Sequence, residues 1–178
     1  MSGIYRTAQI CKNGHVITSN TNYADFLSNF CPECSAETIT TCLHCNTPIR
    51  GDYDIPGVID VSSSYKAPAY CYNCGKPFPW TESKLTSISE LLDMQDQLTE
   101  DEKQYFMSYL PIIFTETPQS EVTALKLRLL INKLPSEIGS LTKNVITDVI
   151  SESIKKILFP WYFQLTTCNL CIHQNHNC

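Results

Sequence analysis

Four short metal-ligand knuckles constrain this chain more than any other feature. Cys11-x3-His15, Cys31-x2-Cys34, Cys42-x2-Cys45 and Cys71-x2-Cys74 all lie within the first eighty residues. One knuckle puts two ligands on one side of an ion, and a tetrahedral ion such as zinc needs a second knuckle to close the far side. Four knuckles therefore call for two zinc ions. Two pairings satisfy the count. Sequential pairing joins Cys11, His15, Cys31 and Cys34, then Cys42, Cys45, Cys71 and Cys74. The alternative joins Cys31, Cys34, Cys42 and Cys45, leaving Cys11 and His15 to Cys71 and Cys74. Sequential pairing is preferred, because each half then repeats knuckle, hairpin, knuckle, and loop-closure cost rises only slowly with length.

Ten cysteines in 178 residues could instead be a disulfide framework. The N-terminus lacks the apolar core of a signal peptide, which points to a reducing, cytoplasmic setting where paired knuckles are metal ligands. No run of eighteen apolar residues marks a membrane span. Both sites have four protein ligands and no open position for water, so they are expected to be structural rather than catalytic. His44, inside the third knuckle, is expected to point away from the ion.

Composition divides the chain into three zones. Residues 1–80 are expected to form a zinc-stapled β domain, a double zinc ribbon. Within it Pro48–Val61 alternates β-prone runs with turn residues, and Arg50-Gly51-Asp52 reads as a polar turn. Gly14 and Gly75 sit where a knuckle needs positive φ.

Residues 81–159 hold no cysteine and show helical periodicity, for an α+β protein overall with about four helices. Thr81 is placed to cap the first helix, whose apolar face runs from Leu85 to Leu98. Thr99-Glu100-Asp101-Glu102 is a capping-box pattern for the second, which Pro111 should stop. Thr117-Pro118 should open the third and Ser136 a single last helix ending before Pro160.

Residues 160–178 form an aromatic, Cys/His-rich tail. Its two readings are a disordered terminus and a third metal site built from Cys168, Cys171, His173, His176 and Cys178.

Charge narrows the functional classes. The chain carries a net −5, and residues 1–80 hold five bases against six acids. Three thiolates and a histidine on one zinc add −1, and four thiolates on the other add −2, so the loaded module sits near −4. Nucleic-acid affinity rests on phosphate neutralisation, which this balance does not favour. Tyr5, Tyr53, Tyr65, Tyr70, Tyr72 and Trp80 could stack on bases, so a nucleic-acid-binding ribbon is kept as the alternative. No paired base and nucleophile stands apart from the ligands, so no enzyme is expected. The leading expectation is a protein-binding adaptor or scaffold, with membrane binding not expected.

Three segments carry a resemblance. They are Thr7–Cys11 continuing through Gly14–Ile17, then Pro48–Tyr53, and Cys71–Trp80 with its Cys-Tyr-Asn-Cys-Gly-Lys-Pro-Phe-Pro-Trp run. Together they resemble an uncharacterised bacterial family, domain of unknown function 2321, over roughly residues 1–158. The resemblance implies a bacterial source, zinc-ribbon knuckles and a helical C-terminal part. It brings no settled activity and adds no catalytic residues, and the tail departs from the family pattern.

Overall fold

A computed structural model describes residues 3–57, 65–115, 117–147 and 150–160. The chain forms two compact units, residues 1–83 and 84–178.

Among the described residues, the first unit carries five short strands: β1 (Ile4–Thr7), β2 (Gln9–Cys11), β3 (Val16–Thr18), β4 (Thr38–Ile39) and β5 (Arg50–Asp54). β2 is central in an antiparallel sheet of order β3-β2-β4, and β1 pairs with β5 in a separate two-stranded sheet. The first knuckle is the tip of the β2–β3 hairpin, where Cys11 N–H donates to the His15 carbonyl. β5 differs from the expected knuckle, hairpin, knuckle repeat, because it pairs with a strand from the other half. Three interactions hold that pairing: the cross-strand Tyr5–Tyr53 ring contact at 4.8 Å, the Arg6–Asp54 ion pair, and the Ala8 N–H bond to the Ile49 carbonyl. Arg50-Gly51-Asp52 is thus strand, not turn. Gly51 is buried there, and any Cβ would strike the Ser19 carbonyl that accepts from Asp52 N–H at 3.1 Å. Ala8, Ile10, Ile49, Phe78 and Trp80 form the apolar core.

The second unit is helical: the remainder of α1 (Pro79–Asp93), then α2 (Glu100–Phe114), α3 (Ser120–Ile131), α4 (Ser136–Thr147) and α5 (Glu152–Leu158). α3 packs against both α2 and α5. The Thr99 capping box forms as expected, with Thr99 Oγ1 accepting from Glu102 N–H while the Glu102 carboxylate accepts from Thr99 N–H.

Elsewhere the helix boundaries differ from expectation. α1 starts at Pro79, whose fixed φ suits a first helical position, and the Phe78 carbonyl accepts from Thr81 and Glu82. Thr81 is inside the helix and buried, not its cap. That helix ends at Asp93, short of Leu98. α2 runs through Pro111, because Leu110, Ile113 and Phe114 are all buried on its far turn. Their burial, about 1.5–3 kcal/mol each, outweighs the roughly 3 kcal/mol cost of an interior proline. α3 begins at Ser120, after a turn in which Ser120 Oγ accepts from Thr117 N–H at 2.7 Å. The expected last helix is two, since Ser151 caps a new start by accepting from Ile154 N–H.

Candidate metal centres

The knuckles share one local geometry. In each C-x-x-C turn the first cysteine's N–H donates to the carbonyl five residues on, as in Cys31 to Ala36, Cys42 to Thr47 and Cys71 to Lys76. The first cysteine's carbonyl accepts from the residue just past the second cysteine: Ser35, Asn46 or Gly75. Those three residues have φ of 56°, 58° and 69°. A single β-bridge flanks each turn at its base: Phe30–Glu37, Thr41–Pro48 and Tyr70–Pro77. This is one unit used three times. Gly75 marks the left-handed position in sequence, whereas Ser35 and Asn46 do not. Gly14 (φ 94°) makes the corresponding turn in the first knuckle and lies against Trp80, whose ring stacks on Phe78.

Tertiary structure groups the ligands sequentially. The ligand atoms of Cys11, His15, Cys31 and Cys34 all lie within 4.8 Å of one another, as do those of Cys42, Cys45, Cys71 and Cys74. In the first cluster, Cys11 and Cys34 sulfurs are 3.8 Å apart, and His15 Nδ1 is 3.5 Å from Cys31 Sγ. In the second, Cys42 to Cys74 is 3.7 Å and Cys45 to Cys71 is 3.6 Å.

These lengths can be compared with a tetrahedron. Metal–sulfur bonds of about 2.3 Å give sulfur–sulfur edges of about 3.8 Å, and a nitrogen ligand at about 2.0 Å gives a mixed edge of about 3.5 Å. A disulfide would need about 2.05 Å, and the seven cysteines of the two clusters are free thiols. Both clusters are compatible with a zinc ion. His44 is exposed and belongs to neither. Cys168, Cys171, His173, His176 and Cys178 lie outside the described residues.

The surroundings tune the donors unequally. Cys34 is pulled down to about 6, first by the Ala36 N–H and then by the Asn13 side chain, whose Nδ2 donates to Sγ at 3.4 Å. Thr47, through its hydroxyl and its N–H, lowers Cys45 to about 6. The Lys76 N–H holds Cys74 down, but desolvation and the adjoining Cys45, Cys71 and Cys42 thiols lift it to about 12. Four adjacent thiols cannot all ionise without a cation among them, and a dication supplies that compensation. His15 is raised, because the neighbouring Cys31 and Cys34 sulfurs favour the protonated ring.

Three residues around the ligands were not singled out from the sequence. Besides Asn13, Asn73 reaches Cys45 and Glu33 lies 3.7 Å from His15 Nε2. Their common signal is a polar residue one or two positions before the second ligand of a knuckle.

A family described as an uncharacterized protein conserved in bacteria (DUF2321) matches residues 4–158. The chain belongs to this family. Neither the curated proteins nor the solved structures contain a match to it. Among the described residues, no helix of this family member is long and apolar enough to cross a membrane.

Proposed function

We propose that both clusters hold zinc as closed structural sites, and that the resulting double zinc ribbon is a cytoplasmic protein-binding adaptor without catalytic activity. The observation that carries the zinc assignment is the pair of four-donor clusters, in each of which two donor–donor edges match those of a tetrahedron. Four protein ligands fill a tetrahedron, whereas a catalytic zinc keeps a position for water. Sulfur with imidazole in the first cluster favours zinc over an iron–sulfur centre. Bound zinc would supply folding free energy, on the order of 10–16 kcal/mol in small finger peptides, to a unit with short strands and a small core.

The adaptor role draws support from the segment that the first cluster pins. Tyr23, Phe26, Leu27 and Phe30 fall within eight residues, and all are exposed, Phe26 at 65%. Clustered apolar exposure of this kind marks interaction surfaces. Elemental analysis of the purified chain should find about two zinc and no iron, and a value near one sinks the two-site assignment. Affinity purification of the zinc-loaded protein from its host should recover a protein whose capture is lost on Phe26→Ala plus Phe30→Ala.

Nucleic-acid binding is the second reading, favoured by one feature. Arg50 lies 3.7 Å from the Tyr72 ring and 4.7 Å from Tyr5, which in turn contacts Tyr53, and all three tyrosines are exposed. Trp80 is withdrawn into the core, and Tyr65 donates to the Arg50 carbonyl at 2.6 Å. The net −4 of the loaded module opposes polyanion binding. Anisotropy titration with DNA and RNA at about 0.15 M salt separates the readings, since micromolar binding that persists there overturns the adaptor.

A further inference from the structure

We propose that His15 enters the first cluster through Nδ1, with Glu33 acting as the positioning residue that holds its Nε2–H. The inference rests on the reading of that cluster as a metal site. Its first support is direction. Nδ1 faces Cys31 Sγ at 3.5 Å, a mixed tetrahedral edge, while Nε2 faces the Glu33 carboxylate at 3.7 Å.

Local backbone geometry gives the second support. Gly14 N–H to the Cys11 carbonyl and Cys11 N–H to the His15 carbonyl close the first knuckle tightly. His15 N–H also donates to Cys11 Sγ at 3.2 Å, which brings the histidine backbone against the ligand shell. From so near, the proximal ring nitrogen reaches the position of a cysteine sulfur, whereas Nε2 would project beyond it.

The third support is the repetition of the knuckle. Glu33 is the third residue of Cys31-Pro32-Glu33-Cys34, and Asn73 is the third of Cys71-Tyr72-Asn73-Cys74. Asn73 reaches across the second cluster to Cys45, a ligand from that cluster's other knuckle. Glu33 stands in the same relation to His15. Both second knuckles thus address the first knuckle from one position, and only the chemistry differs: an amide for a thiolate, a carboxylate for an imidazole N–H. The 3.7 Å separation is an ion-pair distance rather than a hydrogen bond. Glu33 is exposed, so its carboxylate has room to close on Nε2–H and would accept from it if Nδ1 held a metal. Partners of this kind fix the tautomer of a metal-bound histidine and raise its basicity.

The test uses the full-length, zinc-loaded protein. Long-range ¹H–¹⁵N correlation of the histidine side chains should show His15 metal-bound at Nδ1 and protonated at Nε2. A ring bound through Nε2 overturns the proposal while leaving the zinc assignment intact, whereas a first cluster that holds no zinc overturns both. The second measurement is chelator competition on Glu33→Ala and Glu33→Gln. Glu33→Ala should weaken the first site by about 10–100-fold with the second site unchanged. Glu33→Gln keeps an acceptor oxygen and should restore part of the affinity and the Nδ1-bound pattern. Wild-type affinity in Glu33→Ala would remove Glu33 from any positioning role.

Discussion

The two clusters share a tetrahedral frame but sit in opposite surroundings. Cys42 and Cys71 of the second cluster belong to the apolar core with Ile49, Phe78 and Trp80, and Cys45 and Cys74 pack against it. No cysteine of the first cluster is part of that core. The first cluster is flanked by polar groups, although Gly14 of its first knuckle rests on Trp80. Gln9 is buried and donates to the Ser28 carbonyl and to Thr38 Oγ1, both at 2.9 Å, while its own carbonyl oxygen accepts from Ser28 N–H at 3.1 Å. Lys12 pairs with Glu37, and Asn13 and Glu33 reach the ligands directly. A metal in the second cluster would therefore extend the small hydrophobic core. A metal in the first would tie the Cys31–Cys34 turn to the tip of the β2–β3 hairpin. Both clusters draw four donors from two knuckles, yet the consequence of losing one is expected to differ.

The sharpest way to break this comparison is to remove one ligand from each cluster. Cys71→Ser should unfold most of the first unit and drop the zinc content from about two to below one per chain, because its site and its core fail together. Cys11→Ser should release one ion and leave the second cluster loaded, as read by cobalt substitution and by protection of the Ile49 and Phe78 amides. If Cys11→Ser loses both ions while Cys71→Ser keeps the first, the roles are reversed. A smaller effect is expected from Gln9→Ala, which leaves Ser28 N–H without its acceptor. It should cost about 1–3 kcal/mol in denaturant unfolding and loosen the first site alone. Loosening of both sites would show that the polar network supports the whole unit.

The smallest effects belong to the left-handed residues of the turns. Gly75 has open space around its missing Cβ, so Gly75→Ala should cost only the backbone penalty, about 1–2 kcal/mol. Ser35→Gly should be neutral or stabilising by up to about 1 kcal/mol, and Asn46→Gly less so, since asparagine tolerates the conformation. Thermal unfolding of the zinc-loaded chain checks all three. A large loss of zinc in Ser35→Gly would mean that its side chain, not its φ, serves the first site.

Legibility followed the range of each interaction. Knuckle spacing and the Thr99 capping box are local patterns, closed within a turn, and the structure carries both as written. Pro111 misleads because the local cost is visible in sequence while the burial of Ile113 and Phe114 is not. Arg50-Gly51-Asp52 misleads for the same reason. Its glycine answers to the Ser19 carbonyl, thirty-two residues away, rather than to a turn. Glu33 and Asn73 carry no local signal of a partner, because the ligand each one addresses lies on the opposite knuckle, eighteen and twenty-eight residues away.

By itself, then, the sequence determined the candidate donors and their grouping into knuckles, because thiol spacing and capping act over a few residues. Only the tertiary structure decided which knuckles meet and that β1 crosses over to β5. It likewise decided that one cluster lies in the apolar core and the other in a polar network. Those outcomes depend on contacts between segments tens of residues apart, where burial and the satisfaction of buried polar groups such as Gln9 choose among arrangements that local chemistry leaves equally open.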